Sequence, residues 1–259
     1  MQGLIATIFS QPAALDELAE TAVRFVNLIS LADQRALMLS LLRRGVYGYL
    51  LRSAAHQMPR HRARALSLLA YLPLPGGYAE RVESYCNDRD AGVRFAAMLV
   101  QLSAAPARFY DTLATYRDRI SLPEIEQIIA LLRVKGWQLD YMSMSISGVD
   151  NLQALALELM REMDDENLLP HISSLLEHVN DSIRRSAIEL IIDRGYTLNE
   201  KNIKQYFRSL HPLSRRAILR ICARVGYSHS AICPIVEAGD EEYYDKILTS
   251  YKSTMLCQY

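Results

Sequence analysis

An internal repeat of about thirty residues is the feature that most constrains the fold of this chain. Residues 181–190 (DSIRRSAIEL) match residues 150–159 (DNLQALALEL) at an offset of 31 positions. Residues 182–196 (SIRRSAIELIIDRGY) match residues 213–227 (LSRRAILRICARVGY) at the same offset of 31. A fixed period of this length indicates that one small structural unit recurs, with each copy packing on its neighbours.

Four segments upstream continue the same period. They are residues 32–45, 61–72, 90–102 and 122–137. Equivalent positions then fall near residues 33, 62, 93, 124, 152, 183 and 214, which defines seven units. The chain has 259 residues, of which 50% are apolar, and this is ample to bury a core shared by those units.

The repeated segments carry apolar residues at the spacing of one helix face. In the sixth unit these residues are Ile183, Ala187, Leu190 and Ile191. A second periodic stretch lies between two segments, and its apolar residues are Leu168, Ile172, Leu175, Leu176 and Val179. Two helices in each period predict a chain of helical hairpins, and no stretch shows the alternation of a β-strand.

Signals for helix boundaries recur along the chain. Residues 121–124 (Ser-Leu-Pro-Glu) form a capping box with proline in the first helical turn. Asn167 is expected to cap a following helix that has Pro170 in its first turn. Glycines follow predicted last turns that carry arginine or lysine, namely Gly45, Gly136, Gly195 and Gly226. We therefore predict an all-α fold built from about seven to eight helical hairpins.

One motif gives these hairpins a family resemblance. The run Asp90, Val93, Arg94 and Ala97 resembles the D-x-x-V-R-x-x-A pattern in the second helix of a HEAT repeat. The pattern recurs, with Asn for Asp and Ile for Val, at Asn180, Ile183, Arg184 and Ala187. The resemblance covers most of residues 20–236 and is closest to compact HEAT-like repeats of about thirty residues. Residues 94–161 also resemble HEAT-repeat proteins of Bacteroidetes, which usually carry an N-terminal membrane helix.

The resemblance implies an α-α superhelix, a HEAT-like solenoid, in a single domain over residues 1–259. Such a stack needs a polar cap at each end, because its last hairpin has no further neighbour. We expect the acidic, tyrosine-rich segment 237–259 to form the C-terminal cap. Asp240 would begin its last helix, and Ile247, Leu248 and Tyr251 would pack inward.

Charge is balanced overall but is segregated along the chain. Lysine plus arginine number 29, and aspartate plus glutamate number 29. Residues 34–79 contain seven arginines and no acidic residue, and residues 201–236 contain seven lysines and arginines and no acidic residue. Because second helices usually line the concave face of a curved solenoid, the resemblance implies one basic concave surface there. Its binding residues would be Arg62, Arg64, Arg215, Arg216 and Arg220.

The arginines have two competing interpretations. Their planar guanidinium groups suit carboxylate or phosphate, so the surface would bind an anionic partner. Alternatively, the arginines at the repeated motif position, Arg94, Arg184 and Arg215, bond to aspartates of the neighbouring repeat or to loop carbonyls. In that case much of the basic surface is structural.

Catalytic and metal-binding motifs are not apparent. The sequence has no G-x-S-x-G, Walker or G-x-G-x-x-G motif. Its six histidines lack ligand spacing, and the acidic cluster from Glu162 to Glu166 lacks the pattern of an EF-hand. We therefore expect no metal, no cofactor and no small-molecule substrate. The four cysteines form no C-x-x-C pair, which suits a reducing cytoplasm, and no run of 18 apolar residues occurs.

The pattern as a whole predicts a non-enzymatic scaffold or adaptor that presents a helical-repeat surface to a protein partner with an acidic surface. One alternative is a nucleic-acid-binding or DNA-repair enzyme of the HEAT-like glycosylase type, although Trp137 is predicted in a loop and not on a concave helix. A second alternative is an adaptor at an anionic membrane surface that uses the patch at residues 35–64. The expected location is cytoplasmic, with peripheral membrane association under this second alternative.

Overall fold

The structure is a computed structural model that describes residues 11–162, 168–194, 207–227, 229–232, 236 and 238–256. All regular structure in these ranges is helical, and they contain no β-strand, so the all-α prediction is confirmed. The chain divides into two compact units, Met1–Leu139 and Asp140–Tyr259.

The first unit alternates long helices with shorter ones. Its helices are α1 (Pro12–Phe25), α2 (Leu31–Arg43), α3 (Val46–Ala54), α4 (Pro59–Tyr71), α5 (Tyr78–Val82), α6 (Ala91–Ala104), α7 (Phe109–Thr115) and α8 (Leu122–Lys135). Short 3-10 helices at Val26–Leu28, Glu83–Asn87 and Pro106–Arg108 join some of them. The centre of this unit is the packing of α4 against α6, where Leu66, Leu69 and Leu99 are inaccessible to solvent.

The second unit has the same alternation. Its helices are α9 (Tyr141–Ser145), α10 (Asp150–Glu162), α11 (Leu169–Ser174), α12 (Asp181–Asp193), α13 (Pro212–Val225), α14 (His229–Ile232) and α15 (Ala238–Leu256). The long helices α10, α12, α13 and α15 pack in series, and their apolar faces share one core with α11. Leu157, Ile188 and Leu219 lie in that core.

The long helices follow the period read from the sequence. They begin at Leu31, Pro59, Ala91, Leu122, Asp150, Asp181 and Pro212. Each of the seven predicted equivalent positions therefore lies two or three residues inside a long helix. Val93, Leu152 and Ile183 are all buried, as expected for equivalent core positions.

Most of the predicted boundary signals that fall in described residues are confirmed. Ser121 and Glu124 form the capping box of α8, with Glu124 accepting from the Ser121 backbone N–H at 2.7 Å. Gly45, Gly136 and Gly226 each take a left-handed conformation beside a helix end, which only glycine adopts without strain. Pro170 lies in the first turn of α11, whereas Asn167 and Gly195 lie outside the described residues.

One predicted core residue is wrong. Val179 was expected on the apolar face of the second periodic stretch, but its side chain is 90% exposed. Helix α11 ends at Ser174, and Val179 lies in the turn just before Asn180, whose side chain caps α12. The backbone must turn there to begin α12, so the helical spacing no longer directs residue 179 to the core.

The C-terminal segment has the helix that was expected of a cap. Asp240 lies in the first turn of α15 and is 3% exposed, and Ile247 and Leu248 pack against the core of the second unit. The side chain of Tyr251 lies outside the described residues.

Two substitutions four residues apart, one in α12 and one just before it, test which of these side chains lies in the core. Ile183→Asp places a carboxylate at a site that is 3% exposed, and we expect it to lower the free energy of unfolding by about 3 kcal/mol or more. Val179→Asp places the same group at a site that is 90% exposed, so its effect should stay within about 0.5 kcal/mol. Denaturant unfolding measures both, and equal losses would contradict the assignment.

Candidate functional site

Two arginines of the first unit each join a helix to the loop before it and to the next hairpin. Arg62 of α4 donates through Nη1 to the carbonyls of His56 and Gln57 at 3.1 and 2.8 Å, and through Nη2 to Asp88 at 2.8 Å. Asp88 precedes α6, so this bond crosses to the next hairpin. Arg62 was predicted to bind a partner, but its side chain is only 16% exposed and its described bonds are internal.

Arg94 of α6 repeats this arrangement. Its Nη1 donates to the carbonyls of Asp88 and Arg89 at 2.8 and 3.0 Å, and its Nε donates to Asp118 at 2.6 Å. The hydrogen bond from Arg94 lowers the pKa of the Asp118 carboxyl below its ordinary value, because it stabilises the charged form.

The second unit contains two more arginines of this kind. Arg184 donates to the carbonyls of His178 and Val179 at 2.6 and 3.0 Å. Arg215 donates to the carbonyl of Leu210 at 3.0 Å and to Asp240 at 2.8 Å. The structural interpretation of Arg94, Arg184 and Arg215 is therefore confirmed, and Arg62 belongs to the same set.

Two long helices, α8 and α10, lack an arginine at the position equivalent to these four internal arginines. Ile125 occupies the position 31 residues after Arg94 and is buried in the core. Gln153 occupies the position 31 residues before Arg184, and its Nε2 donates to the carbonyl of Ser145 at 3.0 Å. An apolar side chain and an amide thus replace the guanidinium in α8 and α10.

The sequence predicted the kind of acceptor, a neighbouring aspartate or a loop carbonyl, but the individual aspartates were not identified, although a signal was present. Asp88, Asp118 and Asp240 follow Arg62, Arg94 and Arg215 by 26, 24 and 25 residues, and each pair is hydrogen-bonded. An aspartate about 25 residues after a motif arginine would have predicted the bond.

Arg64 differs from the four internal arginines. Its side chain is 50% exposed, and it forms ion pairs with Asp16 and Glu20 of α1 at 2.6 Å. Exposed pairs of this kind contribute little to stability, because water competes for both partners. The pairs nevertheless neutralise Arg64, so they reduce the charge it can offer to a ligand.

Helix α13 carries the exposed arginines of the predicted surface. Arg216 and Arg220 are four residues apart, and Arg224 continues the row, so all three lie on one helix face. The side chains of Arg216 and Arg224 are 45% and 60% exposed, and Arg220 is exposed without a hydrogen bond or ion pair to any described residue. We call these three residues the α13 arginine stripe.

Neighbouring carboxylates only partly balance this stripe. Arg216 lies 3.7 Å from Asp240, which already pairs with Arg215, and its guanidinium lies 5.1 Å from the centre of the Tyr243 ring. Arg224 lies 2.9 Å from Asp193, which also pairs with Arg161. Because each carboxylate is shared, the stripe keeps an excess of positive charge for a carboxylate or phosphate of a partner.

The five predicted binding arginines are divided between the two units. Arg62 and Arg64 lie on α4 of the first unit, and Arg215, Arg216 and Arg220 lie on α13 of the second. A binding role stays a prediction for all five. Among them, Arg216 and Arg220 have the fewest internal hydrogen bonds and ion pairs, so their guanidinium groups are the most available to a partner.

The first unit contains a cleft of about 280 Å³. Its lining residues include Glu83, Cys86, Arg108, Asp111 and Tyr116. Burial, with a smaller contribution from Glu83, raises the pKa of the Cys86 thiol above its ordinary value. The thiol is therefore protonated near neutral pH, which makes it a poor nucleophile.

Cys222 is a second unreactive thiol. It is buried on the core side of α13, as predicted, and burial raises its pKa to about 12. Within the described ranges, no group of three or more His, Cys, Asp or Glu side chains is arranged to hold a metal ion. No helix in the described part of the chain has both the length and the apolar character to cross a membrane.

Comparisons with known proteins add no assignment. No protein-family model matches the chain, and it has no match among curated proteins or among solved structures. Its function is therefore inferred from its residues and their contacts.

Substitutions at two positions of α4 distinguish an internal arginine from an exposed one. Arg62→Ala removes a guanidinium that satisfies two carbonyls and Asp88, and we expect it to lower the free energy of unfolding by about 3 kcal/mol. Arg60→Ala is the control, because Arg60 is exposed without a bond to any described residue, and its effect should stay within about 0.5 kcal/mol. If Arg62→Ala were as stable as the control, the internal role would be wrong.

Proposed function

We propose that the chain is a non-enzymatic α-solenoid of HEAT-like repeats that binds a protein partner with an acidic surface. Support for the repeat comes from long helices that start at nearly constant intervals within each unit and from arginines that bond in the same way in both. In this arrangement the helix faces away from the core form an extended surface, which is the usual binding surface of repeat proteins. A cytoplasmic location is part of the proposal and agrees with the free thiols of Cys86 and Cys222.

The α13 arginine stripe is the observation that carries the binding proposal. Three arginines are aligned on one helix face, and the carboxylates near them are shared with other arginines. Arginine makes paired hydrogen bonds to a carboxylate with a fixed geometry, so a row of three suits an acidic helix or loop. Tyr243 beside Arg216 adds an aromatic surface, which is frequent where proteins bind each other.

Salt dependence is the expected signature of this interaction. The stripe is exposed, so ions in solution screen its attraction for a partner, and the Debye length falls from about 10 Å at 0.1 M salt to about 3 Å at 1 M. Binding that depended mainly on apolar contacts would not weaken over this range.

The test compares two variants that lose the same charge. The first is Arg216→Ser, Arg220→Ser and Arg224→Ser, which removes the stripe and leaves Arg215 in place. The control is Arg89→Ser, Arg108→Ser and Arg119→Ser, which changes three exposed arginines of the first unit that form no side-chain bond to a described residue. Both variants and the original chain are used to capture proteins from nuclease-treated extract of the native host, with quantification by mass spectrometry.

We expect a protein that the original chain and the control retain and that the stripe variant loses by at least tenfold, with unchanged melting temperatures. Retention should fall when salt is raised from about 0.1 to 0.5 M. Equal capture by all three proteins would place recognition elsewhere. A gel-shift assay with duplex DNA tests the nucleic-acid alternative. If DNA binds the stripe, the original chain should shift the duplex and the stripe variant should not, and capture through nucleic acid should be lost when the extract is treated with nuclease.

A further inference from the structure

Helix α2 leaves most of its apolar residues in contact with solvent. Leu31, Leu39 and Leu42 are 78%, 47% and 46% exposed, and Leu41 is the buried residue of this helix. The last residue of α1, Phe25, and the last residue of the following 3-10 helix, Leu28, are also 54% and 76% exposed. Single exposed leucines are ordinary, but a contiguous group of this kind marks an interaction surface.

The packing of α2 explains this exposure. In the first unit, α4 packs extensively against the next long helix, α6, and thereby buries its apolar side chains. Helix α2 packs mainly against the short helix α3. Much of its circumference therefore has no neighbour among the residues that the structure describes, and it forms a ridge there.

Basic residues lie among the exposed leucines. At about 100° per residue, Leu31, Arg35, Leu39 and Arg43 fall within an arc of about 120°. Arg35 and Arg43 are exposed and form no hydrogen bond or ion pair with a described residue. The nearest acid on the helix, Asp33, accepts from the Ser30 hydroxyl and forms part of the N-terminal cap. We call these four residues, with Leu42, the α2 ridge.

We infer that the α2 ridge docks on an anionic lipid bilayer. Helices that lie in the membrane interface place leucines at the boundary of the acyl chains and arginines at the level of the phosphates. The α2 ridge has this mixture on one side over a length of about 20 Å. Its charge is complementary to anionic headgroups, since residues 34–79 contain no acidic side chain.

This inference does not depend on the proposed function. The α2 ridge belongs to the first unit and the α13 arginine stripe belongs to the second, so different variants affect them. Together they would give an adaptor that holds a protein partner near a membrane.

Flotation with lipid vesicles tests the inference. The full chain is mixed with vesicles of phosphatidylcholine alone, or with about 30% phosphatidylserine, and the bound fraction is measured. One variant removes apolar contacts (Leu31→Ser, Leu39→Ser, Leu42→Ser), and another removes charge (Arg35→Ser, Arg43→Ser). The control for the apolar variant is Leu122→Ser with Leu213→Ser and Val225→Ser, at side chains 52%, 68% and 46% exposed, and the control for the charge variant is Arg89→Ser with Arg108→Ser.

The original chain and both controls should bind vesicles with phosphatidylserine and not vesicles of phosphatidylcholine alone. Each α2 variant should lower the partition coefficient by about tenfold or more, and about 0.5 M salt should release the original chain. Absence of binding to the vesicles with phosphatidylserine would overturn the inference. Equal binding by the original chain and both α2 variants would also overturn it.

A fluorescence measurement covers the case in which the serine variants fold poorly. Leu39→Trp and Leu122→Trp each add one indole at an exposed leucine, and Trp137 is present in both proteins. Vesicles with phosphatidylserine should shift the emission of the Leu39→Trp protein to shorter wavelength and leave the Leu122→Trp protein unchanged. The same response from both proteins would contradict docking through α2.

Discussion

The buried guanidinium group is the constraint on which this repeat depends. An arginine side chain stays charged and carries five N–H donors, so its burial is costly unless hydrogen-bond acceptors surround it. Arg62 and Arg94 meet most of this need with two carbonyls of the preceding loop and one aspartate of the next hairpin, although the buried Nε of Arg62 has no partner among the described residues. Each such arginine holds the loop that precedes its own helix and bonds that helix to the next helical hairpin along the chain.

This use of arginine also decides what remains for function. The basic residues fall into two classes: those that form internal hydrogen bonds, such as Arg215, and those that are exposed on the surface, such as Arg220. A count of basic residues along the chain cannot separate the two classes. Contacts separate them, and they move the proposed partner site from all five predicted arginines toward the exposed face of α13.

The sequence predicts the long helices well and their surroundings less well. Repeat spacing and caps such as Ser121 are local properties, so they locate helix starts to within a few residues. Val179 was misplaced because a turn overrides helical spacing, and the exposed leucines of α2 were missed because exposure depends on which neighbour packs there. The internal bonds of Arg62 were not predicted for the same reason, since its aspartate lies 26 residues further along the chain.

A double-mutant cycle on Arg215 and Asp240 tests the central claim most directly. Unfolding free energies are measured for Arg215→Ala, Asp240→Ala and the double variant, and the same cycle on the exposed pair Lys246 and Glu242 gives the reference. If a buried arginine bond ties successive helices together, the first pair should show a coupling energy of about 2 kcal/mol and the reference pair less than about 0.5 kcal/mol. Additive effects of Arg215→Ala and Asp240→Ala, within about 0.3 kcal/mol, would contradict the account.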